Sequence, residues 1–213
     1  MRRSRHAGAG ALHSALQAGV VSAFAIDLSF SHDWQAEILP ARPAILPARH
    51  FVYPRDAEEV ERGALEVLVR PQTAGKKDEY GQPFLATCAL GFRDAAVPTG
   101  IWAAPSPREI CAVSGGYTYL IDTAEPERFT MIEYRPVLEV RALVDERLLL
   151  FVGHRSIIAW GANGLAWETA KLSDEGVAIT GIENGVLRGS GWEMISDKEK
   201  AFAVELGSGK IRD

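Results

Sequence analysis

Between residues 147 and 212 short apolar runs alternate with Gly, Asn and Asp: LLLFV, IIAW, LAWE, VAIT, VLRG and AFAVEL are parted by GHRS, GANG, SDEG, ENG and a charged turn. Runs of this length, bounded by turn residues, are strands, and tight turns between them need the positive φ that glycine and asparagine adopt most easily. An antiparallel β meander is therefore expected. The run LLLFV (148–152) has no polar alternation at all, which predicts a strand covered on both faces.

Upstream, ALEVLVR (64–70) and FLATCALGF (84–92) read as a hairpin with a long polar tip, QTAGKKDEYGQP. ICAV (110–113) and YTYLID (117–122) flank Gly115-Gly116, a strong hairpin signal. Residues 39–54 carry Pro40, Pro43, Pro47 and Pro54, and each proline fixes φ and lacks a donor. That segment cannot be a central strand and reads as an extended linker, so the expected division is an N-terminal extension over 1–50 and one β-rich domain over 51–213. Leu12, Leu16, Val20 and Phe24 form a helical stripe within the extension, and residues 56–62 (DAEEVER) could form one helical turn capped by Asp56.

ICAVSGGYTYLID aligns with LLFVGHRSIIAWG, and Val113 and Val152 are 39 residues apart. This resembles the quinoprotein-like or WD-type propeller repeat over about 105–212, where a blade occupies roughly 40–45 residues. The chain lacks the repeated Gly-His and Trp-Asp pairs of WD40, and it is too short for a ring of at least about four four-stranded blades beside an extension. The expected fold class is all-β: a meander forming two packed sheets, as a sandwich or an incomplete propeller-like stack, behind a poorly structured extension.

Net charge is −5 with basic residues dispersed, so no nucleic-acid footprint exists. Cys88 and Cys111 lie in apolar runs without CxxC or Cys/His spacing, which favours two buried free thiols over a bridge and argues against a structural zinc site. No apolar run reaches the roughly 20 residues of a membrane span. A basic start, an uncharged stretch over 8–26 and Ala23-Phe24-Ala25 are formal parts of a secretory signal, though polar residues interrupt its middle. A cytoplasmic location is the expectation, with secretion as the alternative.

Trp167-Glu168 and Trp192-Glu193 are the nearest approach to a catalytic pair, since a glycosidase needs two carboxylates roughly 5–9.5 Å apart beside aromatic platforms. Period-2 alternation explains the same pairs as an inward Trp with an outward Glu. His154, in the turn GHRS, is a third weak catalytic candidate, with no second histidine at ligand spacing. Trp160, Trp167 and Trp192 are candidate binding residues if they share an exposed face. No metal or cofactor fingerprint is present. The leading expectation is a non-enzymatic, soluble binding module with a protein partner, and the sequence leaves open whether it takes a small-molecule ligand. A carbohydrate-active or other hydrolase using Glu168 and Glu193 is the alternative. Any function is expected on the turns, first at His154 and the Ser190–Trp192 bend.

Overall fold

The computed structural model describes residues 24–55, 61–73 and 79–212. Among them are no helices and seventeen strands. These are β1 (Ala25–Asp27), β2 (Trp34–Leu39), β3 (His50–Tyr53), β4 (Ala64–Pro71), β5 (Phe84–Ala89), β6 (Gly100–Ala103), β7 (Glu109–Ser114), β8 (Tyr117–Asp122) and β9 (Phe129–Met131). They continue as β10 (Glu139–Leu143), β11 (Leu148–Val152), β12 (Ile157–Gly161), β13 (Gly164–Glu168), β14 (Val177–Glu183), β15 (Val186–Glu193), β16 (Lys198–Glu205) and β17 (Ile211–Arg212).

The all-β expectation holds, and the number of sheets is four instead of two. Sheet I has the order β2-β4-β5-β3, sheet II β1-β6-β7-β8-β9, sheet III β10-β11-β12-β13 and sheet IV β14-β15-β16-β17. The physical reason lies in the connections: the segments after β5, β9 and β13 carry the chain out of one sheet before the next meander starts. The 39-residue spacing is real in the fold, because Val113 is the last residue but one of β7 and Val152 ends β11. Each belongs to the second strand of its sheet's meander. Gly115 and Gly116 make the β7–β8 turn with φ of 56° and 75°, as the hairpin reading requires.

Sheet III is a wall shared by two cores. Leu149, Phe151, Ile158 and Trp160 belong to a cluster formed with sheets I and II. Leu148, Leu150, Val152, Ile157, Ala159 and Trp167 belong to a second cluster with Leu187, Val204 and Leu206 of sheet IV's side. The register places Leu149 opposite Trp160 and Leu150 opposite Ala159, so alternation along two paired strands sends successive residues to opposite cores. All five β11 residues are buried, as the unbroken apolar run predicts.

Sheets I and II also take strands from before residue 50. β1 pairs with β6 in parallel, and β2 pairs with β4. In β2 the alternation Trp34, Ala36, Ile38 faces the first core while Gln35 and Glu37 are exposed. Pro40, Pro43 and Pro47 all fall in the 40–49 crossover, which joins the two edge strands β2 and β3 of sheet I. Edge placement is where the neighbouring prolines are tolerated. The helical stripe over 11–26 lies outside the described residues up to residue 23, as does the Asp56 turn over 56–60. Cys88 and Cys111 are both free and buried, on β5 and β7 of separate sheets. Burial pushes both thiols up, with Glu66 adding to the effect at Cys88 and Cys88 and Glu109 adding to it at Cys111. Among the described residues no helix is long and apolar enough to cross a membrane.

Candidate interaction surface

The turns at one end of the stack are joined by hydrogen bonds across all four sheets. After β5, the Gly91 and Phe92 amides donate to Ser114 O and Gly115 O at the end of β7, each at 2.9 Å. The Val137 amide donates to Gly116 O (2.9 Å) and the Leu138 amide to Val152 O (2.8 Å), linking sheet II to sheet III. From the GHRS turn, His154 O and Arg155 O accept from the Gly176 and Leu172 amides at 2.8 and 2.7 Å. The same 169–176 connection reaches sheet IV: the Asp174 amide donates to Trp192 O (2.7 Å), and the Trp192 amide donates to Ser173 Oγ (2.9 Å). Turn backbone that would otherwise seek water is thereby paired internally, which makes a rigid strip out of loops.

Two glycines set the fit of this strip. A Cβ at Gly91 would stand 2.3 Å from the Tyr117 ring and 2.5 Å from Gly115 O. At Gly153 a Cβ would lie 1.6 Å from Tyr134 Cε1, so only glycine lets that ring cover the turn. The Tyr134 hydroxyl accepts the Arg155 amide at 2.6 Å and holds GHRS against the 132–138 connection.

The side chains carried by the strip are aromatic and cationic. Phe92, 45% exposed, meets Tyr117 edge-on with centroids 6.1 Å apart. The Arg135 guanidinium stands 4.8 Å above the Tyr117 ring. Arg135 is exposed and its other polar contact is Met131 Sδ at 3.5 Å, with no carboxylate partner among the described residues. His154 and Arg155 are exposed beside Tyr134, and Trp192 is half-buried at the far end. A cation on an aromatic face keeps its hydrogen-bonding edge free for a partner.

The expected site residues divide between this surface and the cores. His154 and Trp192 are on the strip, joined through residues 172–176. Trp160 is 6% exposed and its indole donates to Glu109 Oε2 at 3.1 Å. Trp167 is 8% exposed and donates to Leu206 O at 2.6 Å. Both buried indoles thus have their polar edge taken, as core tryptophans do. Glu168, exposed on β13, accepts from Ser156 Oγ at 3.2 Å. Glu193, at the end of β15 in another sheet, is ion-paired with Lys200, and hydrogen bonds from Lys200 and Ser196 hold its carboxyl below the usual range. The side chain of His154 has no hydrogen-bond partner among the described residues, so it is not aligned as a base on the Ser156 hydroxyl, whose acceptor is Glu168. No group of three or more His, Cys, Asp or Glu suited to a metal ion occurs among the described residues. Phe92, Tyr134 and Arg135 escaped sequence reasoning because they are scattered in connections, whereas Tyr117 opens β8 and was legible as a strand aromatic. The only local signals were the glycines beside them.

No protein-family model matches the chain, and no curated protein matches it. Among solved structures it is similar to the N-terminal domain of Nup159, a β-propeller, at 11% identity and a TM-score of 0.34. That match covers 90% of this chain and 53% of the other, so the chain spans about half the length of that domain. A likeness at this level assigns neither a family nor an activity.

Proposed function

We propose that the chain is a non-enzymatic β-rich interaction module that docks a protein partner on its turn strip. The observation that carries this reading is Arg135, held over the Tyr117 ring that Phe92 meets edge-on, with no carboxylate partner among the described residues. Arg, Tyr and Trp are the side chains that most often dominate protein interfaces, and a rigid platform loses little entropy when it docks. The backbone bonding of the strip supports the same reading, since the platform is organised before any partner arrives. Nothing favours the hydrolase alternative: a general acid needs a raised carboxyl, and the ion pair with Lys200 pushes Glu193 the other way.

The test is differential affinity capture. Immobilised native chain and the double variant Arg135→Glu/Arg155→Glu are exposed to the same lysate, with Arg128→Glu, in the β8–β9 connection, as a matched control. The expected result is a protein retained by the native chain and by the control and lost from the double variant. Equal retention by all three removes the strip as the docking site.

A further inference from the structure

We propose a second site, remote from the turn strip: a pocket at the edge of sheet I in which His50 and Arg55 bind the carboxylate of an apolar ligand. The starting point is a buried polar relay beneath the 40–49 crossover. Glu66 is 5% exposed and Thr87 0%, and both face away from the first core, directly opposite one another on β4 and β5. Arg42 Nε donates to Glu66 Oε1 at 2.8 Å. The Thr87 hydroxyl donates to Glu66 Oε2 at 2.5 Å, and His50 Nε2 lies 2.8 Å from the same Thr87 oxygen.

The proton count settles the tautomer. Thr87 Oγ1 has one hydrogen and it is committed to Glu66, so towards His50 this oxygen can only accept. His50 Nε2 must therefore carry a hydrogen in both the neutral and the charged imidazole. The ring edge left for solvent is Nδ1, a bare lone pair in the neutral form and an N–H donor in the imidazolium. Loading the proton breaks nothing in the relay.

The half-buried His50 ring lines an open pocket of about 320 Å³ along β3, with Val52, Arg55, Pro126 and Glu127 among its other walls. β3 is the edge strand of sheet I, so its outer side has no neighbouring strand. Arg55 uses one guanidinium nitrogen on Glu127 O at 3.0 Å, which leaves further N–H groups for a ligand. Among the described residues, the charged groups around His50 are Glu66 and Arg42 through the relay, Arg49 over the Phe51 and Phe84 rings at 5.8 and 5.7 Å, and Arg55 and Glu127 at the rim. With the imidazolium, the described residues of the rim carry two cations against one carboxylate. Anion binding is the chemistry this balance favours, through charge-assisted hydrogen bonds from Nδ1–H and the guanidinium. The flanking Phe51, Val52 and Pro126 make the rest of the wall apolar, which selects a carboxylate on an aryl or branched aliphatic body. A free acid and the C-terminus of a peptide both present that chemistry.

The experiment follows the His50 ring by NMR in the full chain, with phenylacetate as the probe and phenylacetamide as its uncharged control. Phenylacetate is expected to shift the His50 signals and saturate at about millimolar concentration. The amide is expected to leave them unmoved. His50→Gln, followed by the Val52 amide signal in place of the ring, keeps an N–H for Thr87 and loses the imidazolium, and it is expected to weaken binding at least about tenfold. Arg55→Gln, on the exposed rim, serves the same purpose should the His50 variant not fold. A peptide ending in a free Phe carboxylate, compared with its amidated form, separates the two sources: tighter binding than phenylacetate assigns a peptide terminus, equal or weaker binding a free acid. Absence of any His50 shift with phenylacetate overturns the proposal, as does unchanged affinity in the folded variants.

Discussion

Gly153 holds the strip together by what it lacks. Its φ lies outside the left-handed region, so Gly153→Ala meets no backbone penalty and the consequence is purely steric. The new methyl would stand 1.6 Å from Tyr134 Cε1 and 2.3 Å from Cζ. The ring has to swing away, and it cannot do so while its hydroxyl accepts the Arg155 amide at 2.6 Å. Overpacking of this kind costs about 1–3 kcal/mol, and the lost hydrogen bond adds about 1 kcal/mol. The expected loss is therefore about 2–4 kcal/mol, read from urea unfolding followed by tryptophan fluorescence. Tyr134→Ala removes the obstacle, so the double variant Gly153→Ala/Tyr134→Ala should unfold close to where Tyr134→Ala alone does. A coupling of at least about 1.5 kcal/mol is the signature, well above the roughly 0.5 kcal/mol scatter of independent sites. Additive losses would refute the clash as the cause. Partner retention should fall in Gly153→Ala as well, because Arg135 follows Tyr134 in the chain.

Leu149→Ala and Leu150→Ala should each cost about 2–5 kcal/mol, since both side chains are fully buried in different cores. Their effects should add in a urea series; strong coupling would contradict sheet III as a wall between two cores. Burial raises the Glu109 carboxyl, Asp122 adds to the rise and the Trp160 indole opposes it. A carboxyl raised in the folded state contributes most below its unfolded pKa, and that contribution is lost as pH rises through the folded pKa. Glu109→Gln, which can still accept from Trp160, should thus be more stable than native near neutrality, with the gap closing towards acid; a constant or reversed gap in urea midpoints across pH would count against this. Trp167→Phe should cost about 1–3 kcal/mol by stranding Leu206 O, and a loss under about 0.5 kcal/mol would show that the carbonyl finds another donor.

Much of this fold was legible because its strands are written in their purest forms. The five residues of β11 contain no polar position, and only burial on both faces accommodates that. Gly115-Gly116 and the 39-residue repeat of β7 and β11 were equally plain. The count of sheets was not, because it depends on where the chain leaves a sheet, and connections such as 132–138 and 169–176 carry no periodicity. β2 was overlooked for a different reason: its six residues precede a proline-rich crossover that reads as linker, although Trp34, Ala36 and Ile38 alternate properly. Among site residues, His154 and Trp192 were visible as turn and strand-end oddities. Their union through Ser173 and Asp174 was not, since it rests on hydrogen bonds of the backbone and of the Ser173 hydroxyl between residues about 20 apart in sequence, which no local motif announces. Phe92 meets Tyr117 only after folding has brought the connection that leaves sheet I against sheet II.

The most direct test of the turn strip is amide hydrogen exchange of the native chain, free and with its captured partner bound. The account predicts added protection in the segments around Phe92, Tyr134–Arg135, His154–Arg155 and Trp192, with the strands of the two cores unchanged. Protection confined to the outer face of sheet IV or to the β3 edge, with those four segments exchanging as in the free chain, would contradict it.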